Sequence, residues 1–162
     1  MSIAKAHGWG IGGLREKMLE VVYISGTWDL FHVGHLRAIE AASRLGDKLV
    51  VGVVTDEFSA SYKGLRPIIP FIQRRAIVAA LRCVDAAVPA RFPLDIVPMV
   101  EYGVTIRAIG PDYGSGNRQP RGHLETMEWM EDQGIEIVRI PRTPDISTTL
   151  IKLRIREMQD ED

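Results

Sequence analysis

The chain has a single cysteine, Cys83. An internal disulfide framework is therefore excluded, and such sparse use of cysteine suits a reducing cytoplasm. No apolar run approaches ~18 residues, so no transmembrane helix is expected. The first twenty residues mix Gly, Lys, Arg and Glu and lack the continuous apolar core of a signal peptide. An excess of either charge is missing too. Twenty Lys and Arg against 21 Asp and Glu leave a net charge of −1, which gives no reason to expect nucleic acid or a membrane as partner. Internal repeats and low-complexity linkers are absent. What remains is a chain of 162 residues, 46% hydrophobic and 25% charged, which fits one globular domain with a sizeable core. We place that domain at 20–162. Residues 1–19 read as an N-terminal extension, broken at Gly12-Gly13, with a short helical turn over 14–19.

Strand-like and helix-like patterns alternate along the domain. Strands are predicted over 20–25, 48–55, 84–88, 106–109 and 135–140, and helices over 33–45, 71–81, 94–102, 123–132 and 147–158. Residues 56–70 read as a linking stretch, 110–122 as a glycine- and proline-rich loop, and the acidic end 160–162 as frayed. Met127, Trp129 and Met130 read as packing residues of the fourth predicted helix. This alternation argues an α/β fold, a Rossmann-like doubly wound parallel sheet with helices on both faces. Ligands of such sheets bind beyond the carboxyl ends of the strands, where strand order reverses.

Two stretches at such strand ends carry chemistry. The first is Gly26-Thr27-Trp28-Asp29-Leu30-Phe31-His32-Val33-Gly34-His35, between the first strand and the first helix. A helix start offers free N–H groups and the positive end of the dipole, which suits phosphate. His32 and His35 are spaced to share a helix face, and Gly34 removes a side chain where a ligand would approach the backbone. A zinc pair is the alternative for the histidines, but no nearby Cys, His or Glu cluster supplies further ligands. Thr27 and Asp29 read equally well as turn residues bonding local N–H groups. The second stretch is Arg142-Thr143-Pro144-Asp145-Ile146-Ser147-Thr148-Thr149. Ser147 is a good N-cap, so a plain helix start explains it. The same start, with hydroxyls and an arginine fork beside it, also makes a second phosphate cradle.

Gly-Thr-x-Asp-x-x-His-x-Gly-His followed by Arg-Thr-x-x-Ile-Ser-Thr-Thr resembles the paired signatures of the cytidylyltransferase-like nucleotidyltransferases, most of all the small glycerol-3-phosphate cytidylyltransferases. The resemblance covers roughly 21–155. It implies strand order 3-2-1-4-5, an enzyme, a homodimer, and Mg²⁺ bound with the nucleoside triphosphate. His32, His35, Lys63 and Arg142 are the catalytic candidates it implies. Gly26, Thr27, Trp28, Gly34, Thr143, Ile146, Ser147 and Thr148 fall on the nucleotide, with Asp85 of Arg82-Cys83-Val84-Asp85 and Gly110, Asp112 and Tyr113 of Gly110-Pro111-Asp112-Tyr113 beside it. Asp29, Asp56, Lys63 and Arg74 fall on the substrates, and Asp29 alternatively orients Mg²⁺. Gln73 stands where similar enzymes carry Glu. Each of these has a plainer reading: Lys63 as solvated surface, Asp85 as a helix end, Gly-Pro-Asp as a turn. Arg118 and Arg121 are further candidates for gripping the acceptor.

The reaction implied is attack by a phosphate oxygen of a small phosphorylated alcohol on the α-phosphorus of a triphosphate, with loss of pyrophosphate. CTP with glycerol 3-phosphate, giving CDP-glycerol, is the first expectation. ATP with a sugar phosphate or FMN, and CTP with phosphoethanolamine, are the alternatives, because Gly-Pro-Asp occurs in archaeal flavin-adenine-dinucleotide synthetases and Ser-Thr-Thr in enzymes that add AMP to heptose phosphate. A nucleotide-binding sensor is the non-enzymatic alternative.

Overall fold

A run such as Leu49-Val50-Val51-Gly52-Val53-Val54 has no polar face and is stable only as a strand covered on both sides. It forms the second strand of a five-stranded parallel sheet. The computed structural model describes residues 18–91, 95–111, 113 and 123–160, the side chains of 62, 63 and 123 excepted. The strands are β1 (Val21–Gly26), β2 (Lys48–Val54), β3 (Ala86–Ala90), β4 (Ile106–Ile109) and β5 (Glu136–Arg139), in the order β3-β2-β1-β4-β5. Val22 pairs with Leu49 on one side and Ile106 on the other. The order reverses between β1 and β4, which puts the switch point at the carboxyl end of β1.

Each face of the sheet has its own core. On one, Val22, Ile24, Leu49, Val51, Val53, Ile106 and Ala108 pack under Ile39 and Ala42 of α1 (Val33–Ser43) and Val78 of α3 (Phe71–Ala79). On the other, Val21, Tyr23, Val50 and Val88 pack under Met99 of α4 (Ile96–Glu101) and Met130 of α5 (His123–Asp132), with Met127 and Trp129 alongside. The last helix, α6 (Thr148–Asp160), has no buried residue.

The structure departs from expectation in a few places. Residues 56–70 contain a helix, α2 (Asp56–Lys63). Its start is well formed: the Phe58 N–H donates to Thr55 Oγ1 at 3.3 Å, and Asp56 and Glu57 occupy the first turn. It stops at Gly64, whose φ of 72° is the left-handed cap that glycine adopts without cost. The third strand begins later than expected, at Ala86, because Asp85 is a fastener before it. Its N–H donates to Leu49 O at 2.9 Å and its carboxylate accepts the Leu49 N–H at 2.7 Å. Pro89 is tolerated because β3 is an edge strand with an outward side that needs no donor. The fourth predicted strand and the helix over 123–132 lie at the expected bounds. The loop over 114–122 and the extension up to residue 17 lie outside the described residues, as do 161–162; Asp160, expected to fray, ends α6.

Candidate functional site

Above the carboxyl ends of β1 and β4 opens a cleft of about 880 Å³. It is lined by Gly26, Thr27, Trp28, Asp29, His32, Gly34 and His35 from the first turn, and by Arg142, Thr143, Ile146, Ser147 and Thr148 from the second. Gly110 and Tyr113 line it from the β4 side. Two stretches more than a hundred residues apart in sequence therefore share one wall.

The histidine turn is held in a conformation that non-glycine residues avoid. Trp28 and Leu30 have φ of 54° and 47°, each costing of order 1–3 kcal/mol. Three bonds over-determine it. The Trp28 indole donates to Gly52 O at 2.8 Å, and the Asp29 carboxylate accepts the N–H groups of Ile68 and Ile69 at 3.0 and 2.9 Å. His32 is the N-cap of α1, extended at φ −138°, and its Nδ1 accepts the Gly34 N–H at 3.1 Å. In the neutral ring the proton is thereby assigned to Nε2, which is buried and has no partner. His35 stacks on His32 with centroids 3.8 Å apart, stands edge-on to Trp28, and leaves Nδ1 buried without a partner. A Cβ on Gly34 would come within 2.9 Å of His32 Cε1 and 3.1 Å of Ile146 Cγ2. Glycine is what lets the two turns close on each other.

The second helix start is capped as expected, since Ser147 Oγ accepts the Leu150 N–H at 3.1 Å. It is also tied directly to the first: Thr148 Oγ1 donates to Asp29 O at 3.0 Å. Lys152, one turn further along α6, lines the cleft and lies 3.7 Å from Asp29 Oδ2. Sequence reading missed it, although its i+4 spacing from Thr148 puts both on one helix face.

Electrostatically the histidine pair is set up as neutral donors. Burial lowers the His32 pKa, and burial together with the His32 ring lowers that of His35 to about 4. In the unfolded chain His35 takes up its proton near the ordinary value of 6.5, so between pH 6.5 and about 4 the unfolded state binds more protons. Folded stability therefore falls as pH drops through that window. Urea midpoints measured from pH 7 to 4.5 should decline more steeply for the wild type than for His35→Gln; parallel declines would contradict this origin.

Several predicted residues lie elsewhere. Arg74, expected on the substrate, is fully buried. Its guanidinium donates to Ile69 O at 2.8 Å, Val54 O at 2.8 Å, Asp56 Oδ1 at 2.6 Å and Thr27 O. Asp56, expected there too, is engaged by Arg74 and by the Phe71 N–H at 2.9 Å. Burial pushes its carboxyl up, but the Phe71 N–H and Arg74 outweigh this and hold it below the usual value. Asp85 lies at the opposite end of the sheet, in a depression with Lys48, Arg82 and Cys83. The side chain of Lys63 and the whole of Asp112, Arg118 and Arg121 lie outside the described residues. In place of these, the β2 side of the cleft shows Phe58, Ser59, Leu65 and Arg66.

Comparison with known proteins gives the same picture from another direction. A family model described as cytidylyltransferase-like matches residues 23–154. The chain is 31% identical over 138 residues to glycerol-3-phosphate cytidylyltransferase of Bacillus subtilis (strain 168), covering 85% of this chain and 98% of that one. It is 36% identical over 140 residues to the bifunctional protein HldE of Alcanivorax borkumensis, of whose length it spans 28%. Among solved structures, the lipopolysaccharide core biosynthesis protein of Thermoplasma volcanium GSS1 superposes with a TM-score of 0.60 at 25% identity, over 78% of this chain and 98% of that one. Pantoate-beta-alanine ligase of Francisella tularensis shares the fold, with a TM-score of 0.51 at 14% identity over 86% of this chain and 70% of that one.

Proposed function

The chain belongs to the cytidylyltransferase-like family, and from that premise we propose that it transfers CMP from CTP to a small phosphorylated alcohol, glycerol 3-phosphate first, with release of pyrophosphate. The observation that carries this reading is the meeting of two helix starts in one cleft, joined by the bond from Thr148 to Asp29. The positive ends of the two helix dipoles, the His32 Nε2 donor and the Arg142 guanidinium suit a triphosphate. They would stabilise the charge that builds as pyrophosphate leaves. The acceptor phosphate is already ionised at neutral pH, so no general base is required. Direct transfer between bound partners needs no covalent enzyme intermediate, and positioning supplies much of the rate.

Mg²⁺ would enter on the triphosphate and offset its charge. Among the described residues there is no group of three or more His, Cys, Asp or Glu placed to hold a metal, and both Asp29 carboxylate oxygens accept backbone N–H groups. We propose that the metal's ligands are phosphate and water oxygens, as Mg²⁺ commonly takes them. Among the described residues no helix is long and apolar enough to cross a membrane. The single cysteine suits a reducing compartment, and on that ground we propose the cytoplasm. Leu150, Leu153, Ile155 and Met158 are exposed along α6, a surface we assign to a homodimer.

In a second reading the acceptor is a sugar phosphate, favoured by the 36% identity to HldE, with ATP as the nucleotide to test beside CTP. Pyrophosphate release measured with CTP and ATP against glycerol 3-phosphate, phosphoethanolamine, sugar phosphates and FMN decides between them. Release dependent on CTP and glycerol 3-phosphate is expected. Release without an acceptor would mean hydrolysis, and nucleotide binding with no release under any pairing would leave a sensor.

A further inference from the structure

β4 is a central strand, and three of its four residues are aliphatic: Ile106, Ala108 and Ile109. The fourth, Arg107, is only 2% exposed. Burying a guanidinium is costly unless its donors are satisfied, and a well-packed apolar side chain usually serves stability as well or better. The location of its bonds is therefore informative. One donor reaches Ser25 Oγ at 2.7 Å, and another reaches Tyr23 O at 3.2 Å and Ala108 O at 3.3 Å. The charge lies 4.7 Å above the Tyr23 ring and 5.8 Å from that of Tyr113. Ser25 and Tyr113 both line the cleft, on separate elements. The same turn is fastened from behind by Arg139, which donates to Pro111 O at 3.2 Å and Tyr113 O at 3.0 Å.

The two flanks of the cleft differ in chemistry. The α2 side carries Arg66, a cation suited to an anionic acceptor; the β4 side carries the Tyr113 ring, a surface on which a base can stack. We propose that Arg107 is the positioning residue of the base end: by holding Ser25 and Tyr113 at a set spacing, it determines which nucleobase the cleft accepts. Burial raises the Tyr113 phenol above its usual value against the pull of Arg107, so the wall keeps its proton and its shape across neutral pH. This rests on the reading that a nucleoside triphosphate occupies the cleft.

Calorimetric binding of CTP, ATP and inorganic triphosphate, each with Mg²⁺, tests it without needing the acceptor. Arg107→Met is expected to weaken binding of the preferred nucleotide by about tenfold, the worth of a stacked base, and to bring the CTP-to-ATP ratio toward one. Inorganic triphosphate should bind the variant as it binds the wild type, and Arg107→Lys, which keeps the charge but not the fork, should recover part of the ratio. Equal weakening of inorganic triphosphate would mark a merely structural role and overturn the proposal, as would an unchanged ratio. If Arg107→Met does not fold, Ser25→Ala combined with Tyr113→Leu carries the same expectation, and an unaltered ratio there overturns it. A wild type that binds neither nucleotide nor inorganic triphosphate would bring down the reading of the cleft and this inference together; one that binds them all while Arg107→Met behaves identically would bring down this inference alone.

Discussion

Replacing His35 with alanine is expected to lower turnover by two to three orders of magnitude, about 3–4 kcal/mol of transition-state stabilisation, the range seen when one preorganised donor is removed. The geometry explains why a single ring should matter this much. His35 lines the cleft with a buried, unpartnered nitrogen, and it is also the surface on which His32 stacks at 3.8 Å. Losing it removes one donor and frees the other. The fold should survive, since the ring is only partly buried and the core beneath it is formed by Trp28 and Ile39. Arg142→Ala, at the exposed second turn, should give a large loss of the same kind. Purified variants with wild-type circular dichroism and near-normal kcat would contradict the assignment.

Arg74→Met should have the largest effect on stability, about 3–5 kcal/mol, because it takes the guanidinium partner from Asp56 Oδ1 and from three carbonyls. For a domain of this length that corresponds to a fall in Tm on the order of 10 °C. The measurement also separates two roles. A residue that gripped substrate would leave the melting temperature unchanged and raise KM. A residue that ties the end of β2, the Thr27 turn and the start of α3 together should lower the melting temperature whether or not a ligand is present. An unchanged melt would return Arg74 to the substrate.

Much of this protein is encoded locally. Strand runs, helix periodicity and end signals such as Ser147 are set by neighbours within a few residues, so the alternating elements could be read in order. α2 was missed although Thr55-Asp56-Glu57 announces it, because Ser59 and Ser61 dilute a short amphipathic pattern that ends at Gly64. The two helix starts that line the cleft were legible for the same reason: a cap and a hydroxyl-rich or histidine-bearing turn are local features.

Which polar side chains remain available to a ligand is another matter. Asp29 is engaged by N–H groups about forty residues away, Arg74 by a carbonyl 47 residues back, and Arg107 by a hydroxyl 82 residues back. A carboxylate or guanidinium looks the same in sequence whether it faces substrate or fastens a loop. Its role follows from the partners that folding brings within 3 Å. The sequence alone thus determined the sheet, its helices other than α2, and the two turns that line the cleft. Only the tertiary structure decided that Asp29, Asp56 and Arg74 are bound up within the fold, that Asp85 belongs to the far end, and that Lys152 and Arg107 stand at or behind the cleft, because hydrogen bonding between distant residues is settled by packing and leaves no periodic trace in the chain.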